Sequence, residues 1–213
     1  MHPAEKNLPL RMSVADYLAS EPFSEVRREY LDGWVVPMPD ATDWHALVRF
    51  GVVMELRDRV RAMGCQLFIA DFKLRLDTQQ GTTFYYPDLL LSCDPQDRES
   101  PYYRRSPCLI VEVTSPSTER IDRREKFYAY AQVPGLREYL IVGSESPEVE
   151  LWRRSGGEAG LAWEACERPG ADGLLRLACL DAATVDCTRF YADVPELAAA
   201  AASAFAAEKS TSA

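Results

Sequence analysis

Asp88 follows Pro87 at the head of the apolar run Leu89-Leu90-Leu91, and Glu112 closes the run Cys108-Leu109-Ile110-Val111. A carboxylate in so apolar a strand is costly unless it is paired, hydrogen-bonded or bound to a metal. Two such acids on neighbouring strands make a hard, oxygen-rich site suited to Mg²⁺, with Mn²⁺ as the substitute. The chemistry that fits is phosphodiester hydrolysis. It needs a water made nucleophilic and a phosphate whose growing charge is stabilised, and carboxylate-held Mg²⁺ supplies both. The carbonyl of Val113 is a third candidate ligand, because the last peptide groups of a strand have no further ladder partners. From spacing alone, Asp88 and Glu112 read equally well as a pair satisfied by backbone amides or arginine.

Several elements must position these acids. Ser13 caps a short helix through Leu18, with Asp16 at its positive end. Asp32-Gly33 between two strand-like runs signals a hairpin with a type I′ turn. Thr42 or Asp43 caps a helix over about Trp44 to Met63, whose Val53, Leu56, Val60 and Met63 form a buried stripe. Gly64 ends it. Leu67 to Ala70 and Phe72 to Leu76 read as one strand with an irregularity at Asp71, with Lys73 and Arg75 on its outer face. After Glu112, Ser115 and Ser117 serve turn and cap duties into a helix from Thr118 to Ala131, with Ile121, Tyr128 and Ala131 on its inner face. Glu138 to Val142, Glu148 to Arg153, Leu161 to Cys166 and Leu174 to Cys179 read as further strands. Pro195 opens an Ala-rich helix with a frayed tail from Glu208. Residues 1–194 make one domain, and 195–213 the helix and tail.

The ordered phrases Arg28-Glu29-Tyr30-Leu31-Asp32-Gly33, His45, Tyr85-Tyr86-Pro87-Asp88, Glu112-Val113-Thr114-Ser115-Pro116-Ser117-Thr118, Asp122-Arg123-Arg124-Glu125-Lys126 and Glu138-Tyr139-Leu140-Ile141-Val142 resemble the Uma-two family of restriction-endonuclease-like proteins, within the PD-(D/E)XK nuclease superfamily. The likeness runs from about Arg28 to Arg153. It implies an α/β fold with a restriction-endonuclease-like core: a central mixed sheet with a helix on each face, and antiparallel strands added at the C-terminal side. It implies a Mg²⁺-dependent endonuclease acting on DNA as a homodimer, with Asp88 and Glu112 as metal ligands. Glu29 matches a glutamate of the family hairpin and His45 the histidine at the helix start. The common pattern puts a lysine two residues after the second acid, where this chain has Thr114. Lys126 is the replacement. Eight residues of helix from Thr118 cover roughly 12 Å, and side chains lean back toward a helix N-terminus. Arg123, one turn earlier, is the rival. The residue after the turn glycine is Trp34, where the family carries a second glutamate. Lys73, Arg120, Arg123 and Arg124 are the candidate contacts to a DNA backbone. The other readings are a catalytically degenerate member that binds nucleic acid or protein, and a small-molecule phosphodiesterase.

The 213 residues carry a net charge of −9, with 47% hydrophobic and 27% charged residues. The composition is that of an ordinary folded domain. The overall charge opposes DNA, since affinity for a polyanion comes from neutralising phosphates. Arg98, Arg104 and Arg105 with Arg120, Arg123, Arg124 and Lys126 are expected to make a local basic patch around the acids. No apolar run is long enough to cross a bilayer. The first residues lack the apolar core of a signal peptide. The six cysteines show no C-x-x-C spacing and read as buried reduced thiols of a cytoplasmic protein.

Overall fold

A computed structural model of the chain describes residues 10–116, 118–154, 163–170 and 172–207. Ser117, the first two residues of the expected strand from Leu161, and the tail from Glu208 lie outside the described residues. In chain order the first elements are β1 (Leu10–Arg11), α1 (Val14–Ser20), β2 (Arg28–Leu31), β3 (Trp34–Pro37) and α2 (Asp43–Ala62). Next come β4 (Gln66–Ile69), β5 (Lys73–Thr78), β6 (Gly81–Tyr85), β7 (Leu89–Ser92), β8 (Tyr103–Arg104) and β9 (Leu109–Thr114). A helix follows with a π-helical stretch, Ile121–Lys126, running into α3 (Phe127–Tyr130). The chain continues through β10 (Glu138–Gly143), β11 (Val149–Arg154), β12 (Trp163–Glu167), β13 (Leu174–Leu177) and β14 (Ala183–Asp186), and α4 (Pro195–Ala207) closes it.

Local chemistry accounts for the ends of these elements. Ser13 accepts from the Asp16 amide, and Thr42 rather than Asp43 caps α2 by accepting from the His45 amide. Asp32 and Gly33 have φ of 47° and 95°, as the hairpin turn requires.

The fold is mixed α/β, but the strands form two large sheets instead of one. The first has the order β1-β3-β2-β6-β5-β8 and the second β12-β11-β10-β9-β7-β4, with β13-β14 a separate antiparallel pair. The expected single strand from Leu67 to Leu76 is therefore two, in different sheets. Ala70, at φ 50°, and Asp71 break the ladder, and the chain turns from β4 into β5. It crosses back at Tyr86-Pro87-Asp88, where proline cannot extend the pairing of β6. These two corners meet, for the Ala70 amide donates to the Asp88 carbonyl.

β9 lies at the centre of the second sheet, parallel to β10 and antiparallel to β7. Its side chains alternate. Leu109, Val111 and Val113 join a core with Val48, Val52 and Leu56 of α2, while Ile110 joins a second core with Tyr130 and Tyr139 beneath the helix that follows β9. α4 docks on the first core through Leu197, Ala201 and Phe205. Among the described residues no helix is long and apolar enough to cross a membrane.

Candidate active site

The pairing of β7 with β9 ends at Leu89↔Val111, so Asp88 and the residues after Val111 project past the ladder. There the two acids interlock. The Val113 amide donates to Asp88 Oδ2 (2.9 Å), and the Asp88 amide donates to Glu112 Oε2 (3.3 Å). One turn of α2 supplies the other partners of Asp88: His45 Nε2 lies 3.2 Å from Oδ2 and Arg49 Nη1 3.1 Å from Oδ1. Burial works against the Asp88 carboxylate. The hydrogen bond and charge of His45, the Val113 amide and Arg49 outweigh it and hold the group below the usual carboxylate range.

Glu112 is enclosed. Lys126 Nζ lies 3.0 Å from its Oε1, and the Tyr130 hydroxyl donates to the same oxygen at 2.6 Å. Burial pushes Glu112 up to about 8, against the lowering effect of the Lys126 charge. Lys126 also reaches Asp122 Oδ1 at 3.3 Å and Glu29 Oε1 at 3.7 Å. Burial raises both of these acids as well. Lys126 is held charged, well above its ordinary value, because its three carboxylate neighbours outweigh its own burial. The Asp122–Lys126 pair is thus no surface i,i+4 bridge.

Of the three helix residues expected to face inward, Ala131 is buried and the other two are not. Ile121 and Tyr128 are exposed, and the residues facing the sheet are Asp122, Lys126 and Tyr130. Glu112 is the reason: a carboxylate buried in a central strand demands donors, and this face supplies Lys126 and Tyr130. The π-helical stretch that includes Asp122 and Lys126 sits at the site, where such irregularities are frequent.

Glu29, His45, Asp88, Glu112, Val113 and Lys126 all line one cleft of about 600 Å³. The structure therefore gathers the six residues singled out for catalysis and metal binding. Arg49 and Tyr130 were missed, and Asp122 was expected only as a surface i,i+4 partner of Lys126. Their spacing offered a signal: Arg49 lies one turn after His45, and Asp122, Lys126 and Tyr130 recur at intervals of four.

The expected basic patch is broken up: Arg98, Arg120 and Arg124 are exposed, while Lys73 and the other arginines are engaged elsewhere. Lys73 is buried, with Nζ 5.2 Å from the centre of the Tyr86 ring, and is not on an outer strand face. Arg104 is buried, its guanidinium against the stacked rings of Phe68 and Phe72. Arg105 pairs with Asp77 and Glu99, and Arg123 with Glu119 and Glu150. Arg123 lines no part of the cleft and so is no rival to Lys126. Arg120 and Arg124 are exposed on the same helix, outside the cleft lining. Thr114 faces a neighbouring hollow with Gly143 and Ser144. Trp34 lies away from the site, its ring under Arg11.

The sequence profile of the Uma2 family, described as "Putative restriction endonuclease", matches residues 14–183. The chain belongs to this family. Among its relatives, "Uncharacterized protein slr1290" of Synechocystis sp. is 34% identical over 145 residues, covering 68% of this chain and 75% of that one. A second Synechocystis protein, "Uncharacterized protein sll1609", is 26% identical over 155 residues, covering 72% and 86%. A crystal structure from Anabaena variabilis, of "a putative nuclease belonging to DUF820", superposes with a TM-score of 0.64 over 85% of this chain and 98% of that one. At 13% identity that likeness concerns the fold. The Uma2 profile spans every residue of the cleft described above.

Whether the cleft suits a divalent cation turns on its donors. Among the described residues no three His, Cys, Asp or Glu side chains form a ready metal cage. Mg²⁺ does not require one, since it is typically held by one or two carboxylates and keeps several waters. Asp88 and Glu112 supply two carboxylates side by side, and the described cleft lining carries seven acids against three full cations and His45. The excess negative charge fits a hard cation.

Proposed function

We propose that the chain is a Mg²⁺-dependent nuclease that hydrolyses phosphodiester bonds in DNA at the cleft between its two sheets. The observation that carries this reading is the convergence of Asp88, Glu112 and Lys126 at the end of the β7–β9 ladder. Asp88, Glu112 and the Val113 carbonyl would hold the ion, which when bound would acidify a water and offset charge on the phosphate. The acidic cleft supports the metal requirement, because a polyanion enters such a cleft only when cations offset it.

The protein's own groups have separate tasks. His45 and Arg49 fix the Asp88 carboxylate from α2. Tyr130 fixes Glu112 from α3. Lys126 stays charged beside Glu112, where it orients a water or stabilises the developing phosphate charge. Glu29 and Asp122 keep Lys126 in place. Arg120 and Arg124, exposed on the same helix, are the proposed contacts to the DNA backbone. A homodimer is the proposed assembly, since a duplex presents two strands to cut.

The test is cleavage of supercoiled plasmid by purified protein at low salt with Mg²⁺ or Mn²⁺, with titration calorimetry of the same ions. Cleavage and metal heat are both expected, and both are expected to vanish in Asp88→Ala. A parent that shows neither refutes the enzyme. One observation favours a second reading, a non-catalytic member that binds nucleic acid or protein: in this structure both oxygens of Asp88 and of Glu112 already have protein donors. Metal-independent DNA binding without cleavage would select it.

A further inference from the structure

The cysteines are not all reduced thiols. Cys65 and Cys93 form a disulfide. They stand opposite each other one step beyond the Gln66↔Ser92 pair that ends the β4–β7 ladder, with Cα atoms 4.3 Å apart. Both residues are half-buried, at the border of the first core. A third sulfur lies against it: Cys108 Sγ is 3.6 Å from Cys93 Sγ. Cys108 is a free thiol just ahead of β9, packed in the same core cluster. Its surroundings favour the thiolate, since the Cys179 thiol is hydrogen-bonded to it and the Arg137 guanidinium stands beside it. Two sulfurs in contact need to close by only about 1.5 Å to reach bonding distance.

We propose that Cys65, Cys93 and Cys108 form a thiol–disulfide exchange site with two alternative disulfides, Cys65–Cys93 and Cys93–Cys108. The Cys108 thiolate attacks Cys93 Sγ. A Cys93–Cys108 bond forms, the Cys65–Cys93 bond breaks, and its electron pair leaves on Cys65 Sγ. A proton given up by Cys108 is replaced by one taken up at Cys65. The number of disulfides is unchanged, so no oxidant is consumed. The exchange moves the covalent tie of β7 from the α2–β4 connection to β9. It also leaves Cys65 as a half-buried thiol that can exchange with a small disulfide of the oxidised-glutathione class, forming a mixed disulfide and releasing one small thiol.

The assay is to equilibrate the full chain in a buffer of reduced and oxidised glutathione, quench in acid, alkylate, digest without reduction and identify linked peptides by mass spectrometry. Peptides joined through Cys93–Cys108 are expected beside those joined through Cys65–Cys93, with Cys65 alkylated or glutathionylated in the first population. Cys108→Ser should lose the new link completely and keep the original one. Cys65→Ser, given oxidised glutathione, should convert to the Cys93–Cys108 form and retain no glutathione. Recovery of Cys65–Cys93 alone from the parent overturns the proposal. So does Cys65→Ser that stays glutathionylated at Cys93 with Cys108 unreacted.

Discussion

Replacing Lys126 with methionine keeps most of the side-chain volume and removes the charge that three buried carboxylates share. Its Nζ lies 3.0 Å from Glu112, 3.3 Å from Asp122 and 3.7 Å from Glu29. Removing one partner of a buried ion pair costs about 3–5 kcal/mol, because the other is left uncompensated. Here the acids have an escape, which is to take up protons. Glu112, Asp122 and Glu29 are all raised by burial, and the Lys126 charge lowers each of them. A carboxyl raised in the folded state contributes stability that is fully present below its unfolded value, near 4, and lost as pH rises through its folded value. For Glu112 that window extends to about 8. Without Lys126 the three acids are raised further, so the variant loses more stability across the same window. The expected deficit relative to the parent is about 3–5 kcal/mol at pH 8, shrinking to about 1–2 kcal/mol at pH 5, where lost hydrogen bonds remain. Urea unfolding followed by circular dichroism at pH 5, 6.5 and 8, in the presence of a chelator, measures it. A deficit that is the same at pH 5 and pH 8, or below about 1 kcal/mol at pH 8, refutes the shared-cation account of the site.

Tyr130→Phe removes a donor from Glu112 and should cost about 1–2 kcal/mol. Glu112 should titrate higher in this variant, since the tyrosine hydrogen bond lowers it, and carbon NMR of the carboxyl reads the change. Gly51→Ala would drive a methyl group from α2 into the backbone carbonyl of Phe190, with an expected loss of about 1–3 kcal/mol in thermal or urea unfolding. Arg120→Ala with Arg124→Ala should weaken DNA binding and flatten the dependence of log K on log salt by about 0.9 for each phosphate that is no longer neutralised. Fluorescence anisotropy over a salt series tests it, and an unchanged slope removes both residues from the interface.

The sequence by itself determined the local elements and the chemistry of the site. Ser13 and Thr42 stand where caps must, and Asp32-Gly33 makes the turn its φ angles require, because these choices depend on a few neighbouring atoms. Asp88 and Glu112 were legible because an acid inside an apolar run is an anomaly wherever the chain places it. Tertiary structure decided the rest. The break at Ala70-Asp71 separates two strands into different sheets, since pairing partners far away in sequence choose the ladder. Apolar spacing put Ile121 and Tyr128 inside, yet buried Glu112 rotates the helix so that Asp122, Lys126 and Tyr130 face it. Of the six arginines that looked like a DNA-binding patch, Arg104, Arg105 and Arg123 are claimed by aromatic rings, by Asp77 and Glu99, and by Glu119 and Glu150. Cys65 and Cys93 are 28 residues apart, and only the β4–β7 register brings them face to face. A local pattern reports what a residue costs to bury. Which partner offsets that cost depends on how distant strands and helices pack.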